Sequence, residues 1–326
     1  MEPAVCVRGL SKRYGDLEAV RGIDLDVASG EVFGFLGPNG AGKTTTISML
    51  CTLTRPTAGT ARVAAVDVTT DPGRVRSRIG LVFQDPTLDD YLTAAENLRF
   101  HAELYGVPKA DRDERMRWAL ELVGLSERRG ALVRTFSGGM KRRLEIARGL
   151  LHAPRVLFLD EPTIGLDPQT RIHIWQYVND LKARERVTLF LTTHYMDEAE
   201  YCDRIAIIDE GQIVASGTPE ALKASVGADR IELRTPDAAT AVARLQEQFG
   251  LEANAQDGFV RFHVERGEEF VPQLFGRLGV TIESVAVARP TLDDVFIRYT
   301  GRTIREAEAS TSDRLRMSGR RWGGRR

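Results

Sequence analysis

Residues 31–50 read EVFGFLGPNGAGKTTTISML. The first six are mostly apolar and predict a buried strand, and the closing TTTISML predicts a helix. Between them, Gly37-Pro38-Asn39-Gly40-Ala41-Gly42-Lys43-Thr44 fits the pattern G-x-x-x-x-G-K-[ST], in the strand–loop–helix setting that its mechanism needs. Glycines let the backbone wrap around phosphate groups, whose charge is met by N–H donors and by the positive end of the helix. Lys43 would reach the β- and γ-phosphates, Thr44 would hold Mg²⁺, and Thr45 stands beside it in the first helical turn.

Downstream, VLFLDE (156–161) is four apolar residues followed by two carboxylates. At the C-terminal end of a buried strand, Asp160 is placed to bind the hydration shell of Mg²⁺. Glu161, one residue on, is placed to polarise the water that attacks the γ-phosphate. A strand ending in solvated acids would explain this segment taken alone. The phosphate loop upstream makes the catalytic reading the better one. Together the two motifs define a phosphate-loop NTPase without saying which kind.

The kind is read from Ser137-Gly138-Gly139-Met140-Lys141-Arg142-Arg143, just ahead of that strand. A Ser-Gly-Gly before a helix is by itself an ordinary N-cap. In this position it resembles the LSGGQ signature loop of the ABC ATPases. Ser137 and the N–H groups of Gly138 and Gly139 would form a second anion site at a helix terminus. In that family the signature loop serves the opposite subunit. The resemblance therefore implies a homodimer, with ATP held between the phosphate loop of one chain and the signature loop of the other.

The remaining family elements follow in order. Tyr14, in SKRYGDLEAV, is similar to the aromatic that stacks on adenine. Gln84, after the strand IGLVF (79–83), matches the Q-loop glutamine that touches Mg²⁺ and senses the permease. Ile164-Gly165-Leu166-Asp167 matches the D-loop, with Asp167 reaching across the dimer, and His194, after VTLFLTT (187–193), is similar to the switch histidine at the γ-phosphate. Two positions depart from the pattern: Met140 replaces the common Gln, and IGLD stands where many members have SALD. Neither removes a catalytic group.

Three further stretches, 84–107, 194–223 and RPTLDDVFIRYTGR (289–302), resemble the daunorubicin-resistance group of drug-export ATPases. That likeness implies an ATP-hydrolysing subunit powering export of a drug or other hydrophobic compound through a separately encoded integral-membrane permease. The chain would then work as a cytoplasmic protein, peripheral on the inner face of the cell membrane. Lipid and polysaccharide exporters, and importers, carry similar ATPase chains, so the core motifs leave them open. A soluble ABC ATPase acting on DNA or the ribosome fits less well, because there is one phosphate loop and no long heptad run.

Composition agrees. With 45 Lys plus Arg against 46 Asp plus Glu, no overall field recruits nucleic acid, and no nucleic-acid partner is expected. Cys6, Cys51 and Cys202 are scattered and read as reduced thiols. No apolar run approaches the ~20 residues of a membrane span. Alternating buried strands and helices over residues 1–227 predict an α/β domain with a mainly parallel sheet. The family adds an antiparallel β subdomain and a helical subdomain. Residues 228–301 alternate strand and helix and predict a small α+β domain of split-βαβ type. The tail 302–326, with eight arginines against three acids and Trp322 among them, is expected to be disordered.

Overall fold

The chain opens with an antiparallel hairpin, β1 (Val5–Tyr14) and β2 (Leu17–Val27), and continues into β3 (Val32–Leu36) and α1 (Lys43–Leu50). The hairpin is longer than the alternation at 4–10 and 21–27 predicts. Its outer half is held by cross-strand pairing, Lys12 opposite Val20 and Tyr14 opposite Leu17, with Val20 its buried apolar anchor and Tyr14 and Leu17 exposed. Next come β4 (Ala58–Val63), β5 (Val66–Asp67) and the short α2 (Pro72–Arg76). β4 and β5 extend the hairpin into an antiparallel sheet of order β2-β1-β4-β5. The computed structural model describes residues 2–185, 187–256 and 258–301; the basic tail expected at 302–326 lies outside the described residues.

Then follow β6 (Ile79–Val82), the helices α3 (Ala94–Leu104), α4 (Lys109–Leu122) and α5 (Gly138–Leu150), and β7 (Val156–Asp160). The three helices pack on one another around Leu98, Met116, Leu120 and Leu144, and form the helical subdomain. α6 (Pro168–Glu185), β8 (Thr188–Thr193), α7 (Met196–Ala199), β9 (Arg204–Asp209) and β10 (Gln212–Gly217) complete this unit. The main sheet has the order β10-β9-β3-β8-β7-β6 and is parallel except for the β9–β10 hairpin. Its inner strands are apolar because both faces are covered. Phe190 sits with Phe33, Phe35 and Phe158 at ring-centroid distances of 5.4, 5.7 and 5.4 Å. The expected fold class is observed. The three cysteines are free.

A second unit begins at Thr218. It holds α8 (Pro219–Val226), β11 (Asp229–Arg234), α9 (Ala238–Phe249), β12 (Ala253–Gln256), β13 (Phe259–Val264), α10 (Gly267–Arg277), β14 (Ser284–Ala288) and α11 (Leu292–Thr300). The antiparallel sheet runs β12-β13-β11-β14, so β13 inserts between two strands joined through α9, as in a split βαβ. Strand β12, Ala-Asn-Ala-Gln, carries no β-branched or aromatic residue, which is why propensity does not reveal it. The segment RPTLDDVF is a capped helix start: Thr291 and Asp294 form a capping box, and Leu292, Val295 and Phe296 are buried.

The boundary expected at Gly227 is corrected to Gly217. Helix α8 packs on α11, and Arg298 donates to the Val226 carbonyl at 2.8 Å, so α8 belongs to the second unit. Among the described residues no helix is long and apolar enough to cross a membrane. A chain ending at Gly217 is expected to melt cooperatively and to bind an ATP analogue with the full chain's affinity. One ending at Gly227 keeps α8 without its partner and should bind more of a hydrophobic dye. Equal dye binding by the two would contradict the corrected boundary.

Candidate active site

Strand β3 is buried at every residue and ends beside β8 and β9, so the chain leaves the sheet at Gly37 in a crowded place. A Cβ on Gly37 would lie 2.1 Å from the Ile208 carbonyl oxygen, a contact only glycine avoids. Gly42, the N-cap of α1, has φ 111° and faces the Ala19 carbonyl at 2.6 Å from a would-be Cβ. These two constraints fix the loop's path and start α1 at Lys43. A helix start leaves its leading N–H groups available to an anion, and here the helical ladder begins with Thr46 N donating to the Gly42 carbonyl at 2.9 Å.

Lys43 is almost wholly buried. Its Nζ donates to the carbonyls of Gly37 at 2.7 Å and Pro38 at 3.1 Å, and stands 3.3 Å from Glu161 Oε1. Above it opens a cleft of ≈540 Å³. Its walls include the loop from Pro38 through Asn39, Gly40, Ala41 and Gly42 to Lys43, Thr44 and Thr45. Tyr14, Gln84 and Glu161 border the same cleft. Tyr14 is half-exposed, with the Lys12 ammonium 4.9 Å from its ring centre.

Asp160 and Glu161 leave β7 side by side and face different tasks. Asp160 Oδ1 accepts from Thr192 Oγ1 at 2.5 Å and lies 3.4 Å from Thr44 Oγ1. Burial raises the Asp160 pKa, and the two hydroxyls work against that rise. Glu161 adopts the left-handed region at φ 45°, a conformation costing a non-glycine residue about 1–3 kcal/mol. Its N–H donates to Thr192 Oγ1 at 3.0 Å. Burial alone would raise its pKa, but the neighbouring His194 and Lys43 outweigh burial and hold the carboxyl below its usual range. His194 Nδ1 lies 3.3 Å from Glu161 Oε2, yet the pair is not aligned as a hydrogen bond. Both atoms are buried without a hydrogen-bond partner among the described residues. Two orphaned polar atoms beside a buried ammonium fit a site built for a phosphate end and a water.

The fit for a divalent cation is likewise one of donor chemistry. Thr44 and Asp160 offer hard oxygens, and no cluster of three or more metal-ligating His, Cys, Asp or Glu exists among the described residues. A cation completed by phosphate oxygens and water suits such a sparse set.

The signature and D-loop residues lie elsewhere. Ser137 caps α5, its Oγ accepting from Met140 N at 3.3 Å. With Gly139 it borders a separate ≈230 Å³ cavity, and Gly138 begins the same helix turn. Asp167 caps α6: its carboxylate accepts from Thr170 N at 3.0 Å and from Thr170 Oγ1 at 2.6 Å. Neither group borders the nucleotide cleft of its own chain.

Three further residues touch the site's own groups or the segments that carry them, and are given no role by the sequence reading. Thr192 holds both Asp160 and Glu161. Glu198, buried on α7, accepts from the hydroxyls of Thr163 and Thr193, the latter at 2.7 Å, and so ties the loop after Glu161 to the strand that ends before His194. Arg142 is buried against the backbone of Asp160 and Pro162. A signal for Arg142 was present: it falls on the buried stripe Gly139, Arg142, Ile146, Gly149 of α5, where a charge is out of place unless paired. Thr192 and Glu198 become visible only through the fold.

Comparison with known proteins agrees with this geometry. The family model for "ABC transporter" matches residues 20–164, and that for "ATP-binding protein DrrA1-3-like, C-terminal domain" matches residues 217–300. The chain is 41% identical over 307 residues to the daunorubicin/doxorubicin resistance ATP-binding protein DrrA of Streptomyces peucetius, covering 91% of this chain and 92% of that protein. It is 40% identical over 316 residues to the Nod factor export ATP-binding protein I of Ralstonia nicotianae, covering 93% and 96%. Among solved structures, a dimeric post-hydrolysis state of the ATP-binding cassette MJ0796, bound to ADP and Pi, superposes with a TM-score of 0.60 at 26% identity, covering 66% of this chain and 98% of that one. The phosphate loop, the paired carboxylates and this likeness along nearly the whole length lead to one conclusion: the chain belongs to the DrrA-like family of ABC transporter ATP-binding proteins and is an ATP hydrolase.

Proposed function

We propose that the chain is the ATP-driven motor of an exporter, acting as a homodimer beneath a separate membrane permease and moving a drug or another hydrophobic compound. The observation that carries the dimer is the separation of the two anion sites. The signature turn at Ser137 borders a different cavity from the cleft that holds Lys43, with no lining residue in common, so a nucleotide in one chain's cleft needs the signature turn of a second copy. A structural relative described as dimeric and bound to ADP and Pi supports a dimer. Export is supported by the relatives' names, which speak of daunorubicin resistance and of Nod factor export.

Each residue's work follows from its surroundings. The phosphates are bound by loop N–H groups, and Lys43 turns its ammonium from Glu161 toward the β- and γ-phosphates. Glu161, anionic and freed from that ion pair, orients the attacking water and takes up its proton. His194 holds the γ-phosphate end of the nucleotide through the ring that now faces Glu161. Tyr14 stacks on the base. Thr44, Asp160 and Gln84 would hold Mg²⁺, which would neutralise charge on the phosphate oxygens. Asp167 and the Ser137 to Gly139 turn serve the partner's nucleotide. Closure on ATP and release after hydrolysis would then be a population shift driven by the loss of the γ-phosphate bridge.

A docking face for the permease is offered by Tyr91 and by Phe100 and Leu104, one turn apart on α3, which are 81%, 65% and 69% exposed. Large apolar side chains left bare in this way suit a cytosolic segment of a membrane protein. The alternatives are a lipid or polysaccharide exporter, an importer, and a soluble ABC ATPase.

Glu161→Gln should bind ATP normally, hydrolyse it about 10²–10⁴-fold more slowly, and elute as an ATP-held dimer on gel filtration. A monomeric, active variant would remove Glu161 from catalysis. For the direction and cargo, inside-out vesicles holding the chain with its permease should accumulate a fluorescent anthracycline when ATP is supplied, and should not do so with Glu161→Gln. ATP-driven movement of a lipid or polysaccharide without the anthracycline would assign the chain to those exporters instead.

A further inference from the structure

Arg142 is buried where a guanidinium is rare, and all its donors converge on elements the active site uses. Its Nη2 donates to the Asp160 carbonyl at 2.9 Å and its Nε to the Pro162 carbonyl at 2.7 Å. Its Nη1 donates to the Phe83 carbonyl, the residue before Gln84, and to Glu145 Oε2 at 3.1 Å. Glu145, buried one turn along α5, accepts through Oε1 from Thr87 N at 2.7 Å and from Thr87 Oγ1 at 3.2 Å. Arg148 adds a bond to the Thr87 carbonyl at 2.8 Å. The segment Gln84–Pro86 is therefore pinned at both ends by one face of α5, and the same guanidinium grips the backbone of Asp160.

We propose that Arg142 is a positioning residue that fixes Gln84 relative to Asp160 and thereby sets the affinity of the site for the divalent cation that accompanies ATP. The inference rests on the reading of Gln84 and Asp160 as the groups that hold that cation. Charge alone cannot do this work. A planar guanidinium with five N–H groups can reach three carbonyls and a carboxylate at once, whereas an ammonium on a single stem cannot span them. The buried Glu145 balances the charge and forwards the hold to Thr87. Neither Arg142 nor Glu145 borders the nucleotide cleft, so their effect on the cation is indirect.

The test measures how Mg²⁺ tightens binding of a fluorescent ATP analogue to the full chain, alongside the Mg²⁺ dependence of ATP turnover. In Arg142→Lys, and in the charge-free pair Arg142→Met with Glu145→Leu, the Mg²⁺ needed for half-maximal effect should rise about 10-fold to 100-fold, the loss usual when a group that orients a metal ligand is removed. Analogue affinity in EDTA should stay at the wild-type level, because the phosphate loop is untouched. Thr87→Val, on the exposed loop, should move the Mg²⁺ requirement in the same direction by less, which keeps the test open if a core variant fails to fold. Asp160→Asn reports on the metal reading itself. A shift there with wild-type Mg²⁺ dependence in the Arg142 and Thr87 variants overturns the role of Arg142 alone. No shift in Asp160→Asn overturns the metal reading and the inference with it. A fall in EDTA affinity that tracks a falling melting temperature would make Arg142 a residue of stability only.

Discussion

Four parallel strands that end at one edge of a sheet are the constraint on which the site depends. β3, β8, β7 and β6 are hydrogen-bonded neighbours, with Leu36 opposite Thr193, Asp160 opposite Thr192, and Leu159 opposite both Leu191 and Val82. Because they run the same way, the loop after β3, His194 after β8, the carboxylates ending β7 and Gln84 after β6 are delivered together. Parallel order needs cover on both faces, so these strands are apolar along their middles, and buried polar residues such as Thr192 and Thr193 gather at their C-terminal ends. The same burial that orders the strands takes their polar ends out of water.

Burial then sets the electrostatics. The Lys43 and Glu161 side chains are 3% and 7% exposed, a setting in which an unpaired charge is expensive and a paired one is held in a fixed geometry. Lys43 is thus held against the loop carbonyls, and its ammonium, with His194, keeps Glu161 anionic against the tendency of burial to protonate it. In the mechanism proposed above, phosphates arriving at the loop would offer Lys43 another partner and so release the carboxylate for water. Asp160 is the last residue of β7, and Glu161 leaves the strand in the left-handed region.

Much of this was legible in the sequence because it is written in short local patterns. The phosphate loop needs glycines at fixed places, and a run of apolar residues ending in Asp160 and Glu161 marks a strand end. The order of Tyr14, Gln84, the Ser137 turn, Asp167 and His194 carried the family. What stayed hidden depends on contacts across the fold. Strand β12 is held by β13 and has no propensity of its own. Helix α8 was grouped with the wrong unit because its partner α11 lies at the far end of the chain. Thr192 and Glu198 are ordinary residues until β8 is set beside β7, and Arg142 looks like one of three consecutive basic residues until its neighbours are known.

The central claim is that a complete ATPase site is shared between two chains, and mixing two defective variants tests it most directly. Lys43→Ala removes the phosphate-loop cation, and Ser137→Arg blocks the signature turn. Alone, each homodimer has no intact site. Mixed, the heterodimer holds one site made from the intact loop of one chain and the intact turn of the other. The account predicts that phosphate release returns on mixing, to a fraction of the wild-type rate. Persistent inactivity across all mixing ratios, with heterodimers verified to form, would contradict it.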